Sequence, residues 1–251
     1  LEELGTDKPS RGPRSPSRNR GFLRFAALLD AVEELLQTES PDAIGLYQIA
    51  QRAGVPPPSV YHFFPSKEAA FVALAERYCD GLLEVHRTPI EARLIGGWQD
   101  LARIDDRRAM EFYNAHPPAL KIFYGGYGGV ETRNIDKMLA IKMSKAASAR
   151  LNRVFHLPRL GAQARKVRRG EIYLAILDSI WTISVRNHGY ITEDYFEESY
   201  RATIAYERLY LPEYLEPRAE LLEAAERGEF VTLPYDGDND GPLVESRAVG
   251  G

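Results

Sequence analysis

The run Leu46-Tyr47-Gln48-Ile49-Ala50-Gln51-Arg52-Ala53-Gly54-Val55, continued by Pro56-Pro57-Pro58-Ser59-Val60-Tyr61-His62-Phe63-Phe64, has the spacing of a helix-turn-helix. Two short helices that cross steeply need a small residue where the second packs on the first, and Ala50 supplies it. Their turn needs a residue that accepts positive φ, and Gly54 does so at no steric cost. The second helix then returns a branched apolar side chain, Val60, to the joint, with Ile49, Val55 and Phe63 around it. Ser59, Tyr61 and His62 fall on other faces, where a helix lying in a major groove would present them.

On the N-terminal side, Phe22, Phe25, Ala26, Leu28, Leu29, Val32, Leu35 and Leu36 recur at helical spacing and predict a first helix from Arg20 to Thr38. Ser40-Pro41-Asp42 stops it, because the residue before a proline avoids the α region. On the C-terminal side, Ser66 after Pro65 can cap a further helix and Glu68 adds favourable charge to its first turn. Apolar spacing carries that helix to about His86. Residues 1–19, rich in Pro, Ser, Gly and Arg, have no hydrophobic period and read as a disordered arm.

With these parts, the stretch from Phe22 to Tyr78 resembles the DNA-binding domain of the TetR family of bacterial transcriptional regulators. The likeness is strongest from Ile49-Ala50 through Val60-Tyr61-His62-Phe63-Phe64 to Ser66-Lys67-Glu68-Ala69; beyond Tyr78 it is architectural. It implies an all-α fold with a three-helix head, residues 20–78, and a linking helix, 66–86. A helical effector-binding and dimerisation body, 79–216, and an acidic, partly disordered extension, 217–251, would follow. The resemblance also implies that Tyr61 and His62 meet phosphates and base edges and that Lys67 meets a phosphate, while Tyr47 stands where the family often has a phosphate-binding Arg. Ser59 and the cationic arm, through Arg18 and Arg20, complete the expected DNA contacts. Two departures matter. Pro56, followed by Pro57 and Pro58, replaces the common Ser or Thr cap of the recognition helix, and Gly45 stands where a Thr is common. Proline is tolerated in a first helical turn but offers bases no donor, so these positions can make only apolar contacts.

The rest reads as helix with Gly/Pro punctuation: about Ile90 to Ala115, Pro118 to Tyr124, Val130 to Phe155, Ala162 to Asn187, Thr192 to Leu211, and one more within Pro217 to Arg227. Strand-like alternation is nearly absent, and Tyr235 to Gly251 looks unstructured. Aromatic residues concentrate here. Trp98, Phe112, Tyr113, Phe123, Tyr124, Tyr127, Tyr173 and Trp181 fit the effector cavity that the family resemblance implies, with His116 orienting an apolar or aromatic ligand. Around 168–187 and 195–210, Ile172, Leu174, Ile176, Leu177, Ile180, Ile183, Phe196, Ile204 and Leu209 offer surface for a homodimer interface.

Composition and absent motifs remove other classes. A chain of 251 residues, 44% hydrophobic, can bury a sizeable core. Its net charge of −4 argues against nucleic-acid binding over the whole surface. Charge is segregated, however: Lys8 to Arg24 carries no acidic residue, and Asp and Glu are abundant from Glu213 onward. The single Cys79 excludes an internal disulfide. With no membrane-length apolar run and no apolar signal core, cytoplasmic residence is expected.

Gly125 to Gly129 lacks the Lys-Ser/Thr of a phosphate loop. Asp236 to Gly241 begins like a calcium loop, but Arg247 stands at its closing position. No catalytic or metal motif is present, so neither an enzyme nor a cofactor is expected. The expected function is a transcriptional regulator, a repressor, that binds a palindromic double-stranded DNA operator as a dimer and is released by a small-molecule effector. The alternative is a helical small-molecule-binding or interaction protein that has lost sequence-specific DNA binding.

Overall fold

The computed structural model describes residues 12–13, 19–125, 130–159 and 168–233. Expectations for most of the arm (Arg18 included), for Tyr127 and for the tail from Tyr235 fall outside them. Arg20 lies in a helix, but its side chain is outside what is described.

Four helices form the head: α1 (Asn19–Thr38), α2 (Leu46–Arg52), α3 (Pro57–Phe63) and α4 (Lys67–Arg87). Leu28, Val32 and Leu36 of α1, Ile49 and Ala50 of α2, Val60 and Phe63 of α3, and Ala70 and Leu74 of α4 are buried in one core. The first turns of α1 depart from the periodic reading, since Phe22 and Ala26 are exposed. Packing begins at Phe25, whose ring meets those of Phe63 and Phe64 at 5.6 and 5.4 Å. Ser66 caps α4 by accepting from the Ala69 N–H.

The body comprises α5 (Trp98–Ala115), α6 (Pro117–Tyr124), α7 (Val130–Val154), α8 (Arg169–His188), α9 (Glu193–Glu207) and α10 (Ala219–Glu226). The helix expected from Ile90 begins only at Trp98. Gly96 and Gly97 break the periodicity, and the Asp100 carboxylate caps the Gly97 N–H at 2.8 Å. Ahead of that break, β1 (Ile90–Glu91) pairs antiparallel with β2 (Phe230–Val231), in register Ile90 with Val231. This ribbon was invisible to periodicity because two-residue strands are too short to alternate. The α8 helix starts at Arg169, after Arg168 at φ 51°; the start expected at Ala162 lies outside the described residues. The α9 helix stops at Glu207, ahead of a turn in which Arg208 reaches Glu213 at 2.7 Å.

Beyond Pro217 the described chain folds onto the body. Leu221, Ala224, Val231 and Leu233 join Ile90, Ile95, Trp98, Leu101, Phe155 and Leu215 in a second core. Among the described residues, no helix is long and apolar enough to cross a membrane.

Candidate nucleic-acid interface and ligand cavity

The reading helix is set by its neighbours. Gly54 adopts φ +64°, and the turn closes with Val55 N–H donating to the Ala50 carbonyl at 3.1 Å. Pro56 stands just before α3 at φ −60°, ψ 139°, so the prolines fit where no helical N–H partner is required. With Val60 and Phe63 buried, Tyr61 is 58% exposed and His62 is exposed, its ring edge-on to Phe63 at 5.1 Å. Pro56, Pro57 and Pro58 are exposed and Ser59 is half-buried. Tyr47 on α2 is 67% exposed. Lys67 is half-buried, its Nζ donating to the carbonyls of Pro41 and Asp42, each at 3.3 Å. An ammonium has three donors, which leaves one for a phosphate. In the preceding turn, Gln48 rather than a Thr serves the helix start, its Oε1 accepting from the Gly45 N–H at 2.7 Å.

The body encloses a cavity of about 250 Å³. Six of the sequence-predicted residues border it: Trp98, Tyr113, Phe123, Tyr124, Tyr173 and Trp181. Hydrogen bonds orient both indoles, Trp98 to the Pro212 carbonyl and Trp181 to the Ser199 hydroxyl, each at 2.9 Å. Phe112 and His116 do not border it. They lie on the side of α5 that faces α4, stacked on each other at 4.4 Å and meeting the Tyr78 ring at 6.4 and 5.6 Å. Helical phase explains the split, since Phe112 and His116 share one face and Tyr113 occupies the next.

Polar residues on the cavity wall went unread in the sequence. Arg150, 1% exposed, binds Asp105 at 2.7 and 3.1 Å and donates to the carbonyls of His86 and Leu233. Arg169 pairs with Glu207, both buried. Asp106 accepts from the Tyr173 hydroxyl at 2.5 Å, and Asp178 from Tyr124 at 3.0 Å. Loss of hydration pushes the Asp106 carboxyl, 7% exposed, up to about 8; Asp178 is shifted in the same direction, although it keeps an exposed surface. Burial holds His86 below its ordinary value. A signal did exist: Asp178 interrupts the apolar run Leu174-Ala175-Ile176-Leu177 ahead of Ile180-Trp181, and an acid there needs a reason.

Head and cavity are joined. Lys121 on α6, three residues before Tyr124, sends its ammonium to the carbonyls of Leu36, Gln37 and Glu39 at the end of α1. Leu82 and His86 of α4 border the cavity directly.

Residues 28–74 match the profile of bacterial regulatory proteins of the tetR family. Over 82 residues the chain is 34% identical to the HTH-type transcriptional activator FasR of Mycolicibacterium smegmatis, covering 33% of this chain and 37% of that protein. Over 66 residues it is 39% identical to the HTH-type transcriptional regulator EthR of the same organism, covering 26% and 30%. The matched stretch thus spans about a third of each relative's length. A TetR-family regulator from Streptomyces coelicolor superposes with a TM-score of 0.56 at 23% identity, over 76% of this chain and 98% of that one. Another from Rhodococcus sp. RHA1 gives 0.54 at 19%, over 76% and 97%. These two likenesses establish the fold. Residues 28–74 are therefore similar to the DNA-binding segment of tetR-family bacterial regulatory proteins, and the chain shares the fold of two solved regulators over 76% of its length.

Proposed function

We propose that the chain is a DNA-binding transcriptional regulator that reads a palindromic operator as a homodimer and changes its grip when a small molecule enters the body. The observation that carries this reading is α3 itself, anchored by Val60 and Phe63 while Tyr61 and His62 remain in solvent. Tyr61, His62, Ser59, Tyr47 and the remaining Lys67 donor would meet the duplex, joined by Arg18 of the arm and Arg20 at the start of α1. One helix of seven residues contacts too few base pairs for useful specificity, so two copies are needed.

The surface for pairing is the outer side of α8. Ile172, Ala175, Ile176, Ser179 and Ile180 line a shallow apolar groove there, and Ile183 is 46% exposed beside it. Leu209, just beyond α9, is also exposed. The other periodic apolar residues serve this chain's own interior: Leu177, Phe196 and Ile204 are buried and Leu174 borders the cavity.

A ligand shifts such a regulator only by binding one arrangement of the heads better than another. Filling the cavity would press on α4 through Leu82 and His86, and on α6 through Phe123 and Tyr124. The sense expected is release, which makes the protein a repressor.

Selection from a random duplex library tests the reading. Enrichment of an inverted repeat with half-sites about one helical turn apart is expected. No enrichment at low salt would leave the alternative, a helical ligand-binding protein without operator recognition, which the donor-less Pro56-Pro57-Pro58 favours.

A further inference from the structure

The charged groups around the cavity do not balance. Among the described residues, two guanidiniums, Arg150 and Arg169, face four carboxyls, Asp105, Asp106, Asp178 and Glu207. Both cations are already engaged. Arg150 forks onto Asp105 and spends its third nitrogen on two backbone carbonyls, and Arg169 is paired with Glu207. Neither is placed to receive an anionic ligand without abandoning a buried partner, which would be strongly unfavourable.

Among the described residues, neither Asp106 nor Asp178 is paired with a cation. Their partners are the hydroxyls of Tyr173 and Tyr124, which donate a hydrogen bond but bring no charge. The two carboxyls are near enough that Asp178 raises the proton affinity of Asp106. On the same cavity wall stand the rings of Tyr113, Tyr124 and Trp181, edge-to-face with centroids 5.2 to 6.3 Å apart. Aromatic faces attract cations, and a carboxylate in a desolvated pocket gains most from a partner of full opposite charge.

On the reading of this cavity as the regulatory ligand site, we propose that its occupant is an organic cation: an ammonium group carried on a compact apolar body. Asp178 receives the charge, Asp106 releases its proton to solvent to share it, and the apolar part lies against Tyr113, Tyr124 and Trp181. The volume of about 250 Å³ limits the body to a small molecule.

Both tryptophans of the chain border the cavity, so their emission reports occupancy directly. The test titrates the full chain, near neutral pH, with three probes of one shape: 4-phenylbutylamine, 4-phenylbutanol and 4-phenylbutyrate. The amine should bind at least about 10-fold more tightly than the alcohol, with the carboxylate weakest. In Asp178→Asn and in Asp106→Asn the preference for amine over alcohol should shrink to about 3-fold or less.

Equal or tighter binding of the alcohol or the carboxylate overturns the proposal. So does a preference that survives both substitutions, or the absence of any response from all three probes up to about 5 mM, far above the affinity a desolvated ion pair should give. If circular dichroism shows that Asp106→Asn does not fold, Asp178→Asn alone decides. No DNA enters these titrations, so the regulatory reading fails separately. Amine binding without an operator would leave the ligand class standing, and operator binding without amine preference would leave the regulator standing.

Discussion

Asp106 shows how one residue links function to stability. It lies 7% exposed on α5, bonded to Tyr173, with Asp105 on its own helix, Asp178 and Arg169 on α8 and Glu207 on α9 bordering the same cavity. Burial raises its carboxyl to about 8, whereas the unfolded chain releases that proton near the ordinary carboxylate value of 3.8. Between these values the folded state holds a proton that the unfolded state has lost. Stability from this group is therefore complete below the ordinary value and is lost as pH rises through about 8. Its slope approaches about 1.4 kcal/mol per pH unit within that window. Asp106→Asn keeps the size and the acceptor for Tyr173 and removes the titration. Thermal melts at about pH 6 and about pH 8 should show the wild type losing more stability than the variant over that interval. Equal losses would mean that Asp106 does not hold its proton in the folded chain.

Elements carry the connection between cavity and head, and α6 provides a route beside α4. The Lys121 ammonium satisfies carbonyls that the end of α1 leaves without helical partners, a position where the helix dipole also favours a cation. Phe123 and Tyr124, a short step along the same helix, border the cavity. Lys121→Met keeps the aliphatic stem and removes the cap. It should cost about 1 kcal/mol in denaturant unfolding and leave the tryptophan response to 4-phenylbutylamine in place. The ratio of operator affinities without and with that amine should fall toward unity. An unchanged ratio would assign the coupling to α4 alone.

Arg150 holds α5, α7, the end of α4 and the chain at Leu233 together. Arg150→Met strands Asp105 in a partly buried site and should cost about 3 kcal/mol or more; a loss below about 1 kcal/mol would show that water replaces the guanidinium. Neither junction was legible in the sequence. Lys121 and Arg150 look there like ordinary solvated cations, and only the tertiary arrangement gives them buried carbonyls to serve. The helix-turn-helix, by contrast, was readable throughout, because its determinants are local: Ala50, Gly54 and Val60 act on neighbours a few positions away. The Ile90–Glu91 ribbon fails the same criterion, since its partner lies about 140 residues on.

At the scale of the whole molecule, the proposed function requires two heads held at one separation. Periodicity marked α8 and α9 as apolar but could not say which side faced a partner, because a helix in a two-layer body can be apolar on both. In the fold Leu177 and Trp181 turn inward, and Ile172, Ile176, Ile180 and Ile183 share the opposite side, the one proposed for pairing. Ile176→Asp places a charge on that outer face without touching the core or the cavity. Light scattering at micromolar concentration should then report half the wild-type mass. Affinity for the full palindrome should fall by about 100-fold or more, because the second head no longer arrives at high local concentration. Affinity for a single half-site should change by less than about 3-fold, since each α3 is intact. A variant that stayed dimeric would move the interface off α8. One that became monomeric yet kept its palindrome affinity would show that a single head suffices, and with that the need for symmetry would be gone.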